Sequence, residues 1–368
     1  MTVQDGPGST TIGMERLDEP MSAFLLRGPR VLDPVHLAIP SPSEGQVLIR
    51  VRRAGICGSD IHYFTHGRAG RFVPKRPFVL GHEFAGDVVA LGDGVASALL
   101  GQRVAVDPSM PCGTCPICKS GRYNLCPDMR FFGSASCDPH LDGGFAQFVA
   151  APAANCHVLD DRISWGEAAL VEPLSVALHA LNRSGGVAGK SVLITGGGAI
   201  GQLLAIGTRA FGAALVVVSD PAPFARTQAL ALGADVAFDP TQADFEMEAT
   251  TLSGGGFDVM FEAAGSAPAL VQGLRLLRRG ASLVQVGTLP ADVTLPFNDI
   301  MARELSVFGS FRFANVFGTA LHLMASGRIT AQKVISAVYP LSDLPAAMDR
   351  AVTKTDVIKV QIEPCRCD

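Results

Sequence analysis

Four cysteines in fifteen positions constrain this chain more than any other feature: Cys112-Gly113-Thr114-Cys115-Pro116-Ile117-Cys118, then seven residues, then Cys126. Tetrahedral Zn²⁺ takes four soft or borderline ligands, with sulfurs about 2.3 Å from the metal, and short Cys-x-x-Cys turns supply them. Gly113, Pro116 and Gly121 suit the tight turns such a knot needs. A disulfide cluster or a redox pair would use the same residue type. The ligand count for zinc is complete, however, and the rest of the chain reads as intracellular. A knot with four protein ligands is closed to substrate, so it shapes a lobe and does no chemistry. The reaction site is expected elsewhere.

A length of 368 residues suggests two domains, and 48% hydrophobic against 17% charged residues describes a dense globular protein. The formal charge of −4 excludes a broadly basic surface of the nucleic-acid-binding kind. Nine cysteines, four of them already explained, do not make a disulfide scaffold. No run reaches the roughly 18 apolar residues of a membrane span. Residues 1–20 lack a basic segment followed by an apolar one, so they read as a loose, disordered tail, and the cytoplasm is the expected compartment.

Up to about Val158 short apolar runs alternate with Pro and Gly, which predicts β-strands and turns throughout. The texture changes at Ser164-Trp165-Gly166-Glu167, a helix start with a capping Ser and a Glu three residues on. Glu172-Pro173 is expected to interrupt that helix before Leu174–Leu181 resumes it. From Lys190 onward apolar runs at 192–194, 215–219, 236–238, 259–261, 283–286 and 306–308 alternate with helical stretches. That alternation predicts a doubly wound parallel sheet, an α/β architecture.

The first of those runs leads into Thr195-Gly196-Gly197-Gly198-Ala199-Ile200-Gly201 and then a helical stretch. A Gly-x-Gly-x-x-Gly pattern carries weight in that context, which is a dinucleotide-binding turn. Gly196 allows the turn, Gly198 lets backbone approach a pyrophosphate, and Gly201 lets helix and strand pack closely. With Ala199 and Ile200 these residues open the helix whose free N–H groups attract phosphate. Asp220, closing the next strand, is the acid expected on the adenosine ribose. It would repel a 2′-phosphate, which favours NAD over NADP, with Arg226 a weak signal the other way.

Cys57, His82 and Glu83 are the remaining residues of metal-ligand type in the β-rich half. A catalytic zinc keeps three protein ligands and one open position. Singly, Cys57 could be a buried thiol, His82 a satisfied loop histidine and Glu83 a surface acid. Their order settles more than their identity. Gly55-Ile56-Cys57-Gly58-Ser59-Asp60, Gly81-His82-Glu83, the cysteine knot, Glu172-Pro173-Leu174-Ser175-Val176 and the glycine turn follow one another as in the zinc-dependent medium-chain alcohol dehydrogenases. From about residue 21 to 363 the chain resembles that family.

Cys57-Gly58-Ser59-Asp60-Ile61-His62-Tyr63 and the Glu after His82 resemble its polyol (sorbitol) branch. The loop strings Asp128–Ala135, Pro139-His140, Asp142–Phe145 and Gly309–Phe313 resemble the L-idonate 5-dehydrogenases, and packing alone gives such loop strings little reason to recur. Where polyol enzymes often carry Tyr after the late Arg, this chain has Phe313, which removes a hydroxyl from the pocket.

The resemblance implies a GroES-like β-rich catalytic domain at 21–165 and 310–368 around a Rossmann domain at 166–309. It implies two zinc ions per chain, one structural on Cys112, Cys115, Cys118 and Cys126. The catalytic one would sit on Cys57, His82 and Glu83, with Glu172 a nearby acid or an exchanging ligand. Ser59 and His62 would relay the alcohol proton to water. Tyr63, Phe132 and Arg312 would line the substrate pocket, Arg312 or Arg130 meeting a carboxylate. The implied reaction is NAD-dependent oxidation of a secondary alcohol, L-idonate to 5-keto-D-gluconate, or of sorbitol or xylitol. Family members are commonly dimers or tetramers. A catalytically inactive nucleotide-binding relative would have lost zinc ligands, and none is lost here; zinc-free quinone reduction is disfavoured by the same residues.

Overall fold

The computed structural model describes residues 19–365. The expected tail at 1–20 lies, but for residues 19 and 20, outside the described residues.

Alternating apolar positions in the first half produce a seven-stranded sheet. Its path runs Cys156–Val158, Arg103–Val106, Glu83–Leu91, Gln46–Gly55, Lys359–Glu363, Ile335–Pro340, and Phe148–Pro152 also pairs with Gln46–Gly55. Two of these strands come from the end of the chain: Gln361 and Ile362 sit opposite Gly55 and Ala54. Residue 359 is thereby brought beside residue 56. The second half forms a six-stranded sheet in the order Val236–Phe238, Leu215–Ser219, Ser191–Thr195, Phe257–Glu262, Leu277–Gln285, Ser306–Gly309. Every pairing in it is parallel, and each of the six apolar runs read from the sequence lies in or overlaps one of its strands.

Two elements depart from the sequence expectation. The stretch after Cys57 is not strand and turn but a helix, Gly58–His66. Cys57 is its N-cap, and Asp60 at the third helical position turns back so that its Oδ2 accepts from the Cys57 N–H at 2.9 Å. That is the reciprocal logic of a capping box, with an unusual residue at the cap. The second departure is at Pro173: the helix runs unbroken from Trp165 to Arg183. Proline removes one i→i−4 bond. The segment from Ala168 to Ser175 is nevertheless buried throughout and packs against both the strand Glu83–Leu91 and the helix Ala199–Ala210. Full burial of Leu170, Leu174 and Leu178 contributes about 1.5–3 kcal/mol each, which outweighs one missing backbone bond. This helix is the spine between the two sheets, and it carries Glu172. Among the described residues no helix is long and apolar enough to cross a membrane.

Candidate active site

Cys57 ends the turn after Gln46–Gly55, and Glu83 opens the neighbouring antiparallel strand opposite Gly55. The pairing is tight: a Cβ on Gly55 would stand 2.0 Å from Glu83 Oε2, so a side chain there would push the Glu83 carboxylate out of its place. One ligand atom from each of Cys57, His82 and Glu83 falls within 4.8 Å of the others, and His82 and Glu83 are buried. His82 Nδ1 faces Asp60 Oδ1 at 3.7 Å, too long for a hydrogen bond. Glu83 is clasped by Lys359, whose Nζ donates to Oε1 at 2.7 Å and to the Ile56 carbonyl at 3.0 Å. Asp60 and Lys359 were not assigned roles from sequence. The spacing Cys57-x-x-Asp60 held a signal for the first; nothing local pointed to the second.

Glu172 lies outside the three-ligand set but close enough for its charge to act on all three. Burial, chiefly, raises its carboxyl well above the usual range. Burial and then the charge of Glu83 push the Cys57 thiol up to about 12. Three buried carboxyl groups and a thiol thus face one lysine. His82 Nδ1 and Asp60 Oδ1 lack hydrogen-bond partners, whereas Glu83 Oε2 as well as Oε1 is held by Lys359, at 2.6 Å. A sulfur, nitrogen and oxygen donor set short of positive charge fits a divalent cation of the zinc type.

Beyond His82 the walls are aromatic. Arg312 has its guanidinium carbon 4.0 Å from the centre of the Phe131 ring and 5.1 Å from that of Phe311. Burial holds its pKa down to about 10, with Glu172 and Tyr63 acting in the opposite sense, so it is charged at neutral pH. Tyr63 is buried, its hydroxyl 3.3 Å from Ser134 Oγ and accepting from the Ala135 N–H at 3.1 Å. Phe132 packs edge-on against Phe84 in the hydrophobic core, whereas Phe131 is the ring that meets both His82 (5.6 Å) and Arg312. Arg130 is exposed. Ser59 is half-buried, and His62 stands at the surface three residues further along the same helix face.

The glycines of the neighbouring loops have a packing reason after all, contrary to the expectation from sequence. A Cβ on Gly143 would lie 2.1 Å from the Gly81 carbonyl oxygen, and one on Gly144 would lie 2.8 Å from Phe84 Cβ. Gly133, at φ +58°, presses on the backbone of Gly81 in the same way. These loops are backbone-thin because they pack against Gly81 and Phe84, on either side of His82 and Glu83.

The four sulfurs of Cys112, Cys115, Cys118 and Cys126 also lie within 4.8 Å of one another. Backbone N–H groups point at them: Cys115 N to Cys112 Sγ at 3.4 Å, Cys118 N to Cys115 Sγ at 3.4 Å, Cys112 N to Cys126 Sγ at 3.3 Å. The Cys115 N–H, first among several donors, pulls the Cys112 thiol down to about 6, while desolvation and then a hydrogen bond with Cys115 push Cys118 up to about 12, so without a cation the four sulfurs share protons unevenly. No disulfide joins the cysteines of the described residues. The set fits a closed tetrahedral metal site.

In the parallel-sheet half, Gly196 has φ +91° and a Cβ there would meet Ala264 N at 2.6 Å. On Gly201 a Cβ would stand 1.8 Å from the Gly196 carbonyl oxygen, while Gly198 is exposed and has open space before it. Ala199 and Ile200 begin the helix Ala199–Ala210. Buried Gln202 stitches the turn, donating from Nε2 to the carbonyls of Gly197 (2.8 Å) and Ala225 (2.9 Å). Asp220 accepts from Gly197 N at 2.7 Å and from Ala222 N at 2.8 Å. Arg226 Nη1 donates to the carbonyls of Asp220 (2.8 Å) and Pro221 (2.7 Å) and pairs with Asp239 at 3.2 Å.

Residues 43–161 match the alcohol dehydrogenase GroES-like domain, and residues 199–326 match the zinc-binding dehydrogenase domain. The chain belongs to the zinc-type medium-chain dehydrogenases. This dehydrogenase is 37% identical to the sorbitol dehydrogenase of Bacillus subtilis, over 94% of its own length and 98% of the relative's. It is 39% identical to the L-idonate 5-dehydrogenase (NAD(P)(+)) of Escherichia coli K12, over 86% of its length and 91% of the relative's. The crystal structure of L-idonate 5-dehydrogenase from Escherichia coli K-12 superposes with a TM-score of 0.87, covering 93% of this chain and 98% of that one at 37% identity. A polyol or sugar-acid dehydrogenase with a GroES-like domain and a Rossmann domain is the common denominator.

Proposed function

We propose that this dehydrogenase reversibly oxidises L-idonate to 5-keto-D-gluconate with NAD⁺, using one catalytic and one structural zinc. The observation that carries the substrate is Arg312, a charged guanidinium on an aromatic wall with no anion bound to it by hydrogen bond among the described residues. A planar fork of donors suits the carboxylate that a sugar acid has and a polyol lacks. The idonate dehydrogenase relative supports the same reading.

Cys57, His82 and Glu83 would hold the catalytic zinc, with Glu172 alongside, and Cys112, Cys115, Cys118 and Cys126 the structural one. When bound, zinc supplies a Lewis acid that lowers the pKa of the alcohol, and NAD⁺ supplies the hydride acceptor. Asp60 faces the His82 ring at 3.7 Å, and Lys359 restrains Glu83. Ser59 takes the hydroxyl proton and His62 passes it to water; partial desolvation, first of all, lowers the His62 pKa and keeps it able to accept. Gly196, Gly198 and Gly201 would seat the pyrophosphate and Asp220 the ribose hydroxyls. Arg226, engaged with two carbonyls and Asp239, is poorly free to receive a 2′-phosphate, which supports NAD.

A second reading, oxidation of sorbitol or xylitol, is favoured by Glu172, whose charge acts on Arg312 and can satisfy it without a substrate carboxylate. Steady-state assays with L-idonate, sorbitol and xylitol, each with NAD⁺ and NADP⁺, separate the two. Turnover of the polyols without turnover of idonate would overturn the sugar-acid assignment. A homo-oligomer is expected along the edge strand Ser306–Gly309, where Val307 is exposed, the helix Phe297–Ala302 just before it exposing Phe297 and Met301. The free thiols suit a reducing compartment and support a cytoplasmic site of action.

A further inference from the structure

The segment that carries Arg312 is backbone-strained and is held by a stretch of chain far from it in sequence. It links the last strand of the parallel sheet, Ser306–Gly309, to the helix Phe317–Ala325. Arg312 has φ +51° and Asn315 φ +59°, both in the left-handed region that non-glycine residues seldom adopt. Such conformations persist where the surroundings impose them.

The surroundings here are the cysteine lobe, almost two hundred residues earlier in the chain. Buried Asn124 donates from Nδ2 to the Phe311 carbonyl at 2.8 Å. The Tyr123 hydroxyl accepts from the Asn315 N–H at 2.7 Å, and Asn315 Nδ2 donates to the Gly121 carbonyl at 2.8 Å. These bonds grip the chain on both sides of Arg312. Gly121, Tyr123 and Asn124 lie between the third and fourth cysteines, so the loop that closes the knot is the loop that makes the grip. Phe131 completes the link: it packs with Cys126 and Met129 on the lobe while its ring lies under the guanidinium.

We propose that Tyr123, Asn124 and Asn315 are positioning residues that hold Arg312 at the substrate pocket, so that the cysteine lobe sets selectivity for a carboxylate-bearing substrate. The inference rests on the reading of Arg312 as the carboxylate anchor. A guanidinium displaced by an ångström loses one of its two parallel bonds to a carboxylate but remains a cation near the pocket. The expected loss is therefore in KM for the acid and in discrimination, not in the chemical step.

The test compares the native enzyme with Tyr123→Phe, Asn124→Ala, Asn315→Gly and Arg312→Ala, assayed on L-idonate and sorbitol with NAD⁺, and with metal content measured for each. Tyr123→Phe keeps the ring and loses only the acceptor; Asn315→Gly tolerates the positive φ. The three positioning variants should each lower the idonate-to-sorbitol ratio of kcat/KM about threefold to tenfold, through KM for idonate, with native zinc content. Adding Tyr123→Phe to Arg312→Ala should leave the ratio where Arg312→Ala put it, an outcome a merely structural role would not give. If Arg312→Ala collapses the ratio and the three variants do not move it, the positioning inference is wrong and the anchor reading stands. Equal loss on both substrates, or a change confined to proteins that have lost zinc, also overturns the inference. If Arg312→Ala leaves the ratio unchanged, the anchor reading itself fails.

Discussion

Replacing Asp220 by Ser tests the nucleotide reading where the geometry is most specific. The carboxylate is already fixed by the N–H groups of Gly197 and Ala222, so its remaining lone pairs are held ready for the ribose hydroxyls. Serine keeps a hydroxyl that can accept from one of those N–H groups, which limits damage to the glycine turn. A charge-assisted hydrogen bond to the ribose contributes about 1.5–3 kcal/mol, so KM for NAD⁺ should rise roughly 10- to 150-fold. Removing one negative charge about 5 Å from a 2′-phosphate dianion in a near-aqueous dielectric relieves about 1–2 kcal/mol, a gain for NADP⁺ of roughly fivefold to thirtyfold. The gain is limited because Arg226 is committed to the Asp220 and Pro221 carbonyls and to Asp239, and would have to leave them to reach a phosphate. Together the NAD⁺/NADP⁺ preference should shift by roughly two to four decades. The assay is steady-state kinetics with each nucleotide at saturating alcohol, checked by direct nucleotide binding. An unchanged preference refutes the assignment of Asp220 to the ribose.

Cys57→Ser should reduce metal content from two zincs per chain to one and abolish turnover while NAD⁺ binding persists; two retained zincs, or NAD⁺ affinity lost in parallel, would count against a ligand role. Because burial pushes the Cys57 thiol up to about 12, it is protonated at neutral pH without metal and must release that proton on binding as thiolate. Zinc affinity of the stripped native enzyme should accordingly rise about tenfold per pH unit for each proton released, and calorimetry in buffers of different ionisation enthalpy should count at least one proton more than in Cys57→Ser. Gly143→Ala would drive a Cβ to 2.1 Å from the Gly81 carbonyl oxygen. Overpacking of that kind costs about 1–3 kcal/mol, so melting should fall by roughly 2–10 °C, with weaker zinc retention because His82 moves with Gly81. Native melting and full zinc content would show that the loop yields elsewhere.

The tertiary links in the site explain why its ligands look ordinary singly. His82 faces Asp60 at the start of a short helix, Glu83 depends on Lys359 from the end of the chain, and Arg312 on a lobe whose own ligands are remote from it in sequence. Each catalytic-type residue meets a partner on another element, which is how a preorganised polar site resists relaxation when its surroundings change.

Short-range spacing was legible because it is itself a physical constraint. Four thiols two, two and seven residues apart can close on one ion whatever the rest of the chain does. Gly196, Gly198 and Gly201 satisfy a turn whose sterics are local, and six apolar runs of strand length found their places in a parallel sheet. The helix after Cys57 escaped because cysteine is a poor cap and the signal lay in Asp60. The unbroken helix through Pro173 escaped because burial on every side outweighed a local rule. Lys359 on Glu83 and the grip of Tyr123 and Asn124 on the Arg312 segment span 276 residues in one case and about 190 in the other. No window of sequence contains such pairs. They exist only because the strand Lys359–Glu363 inserts beside Gln46–Gly55 and the cysteine lobe folds against the segment that carries Arg312. Sequence alone determined which atoms are suited to metal and nucleotide, since ligand chemistry belongs to residue type and spacing; tertiary structure alone decided which charges face them and which way Arg312 is held, since those depend on long-range topology.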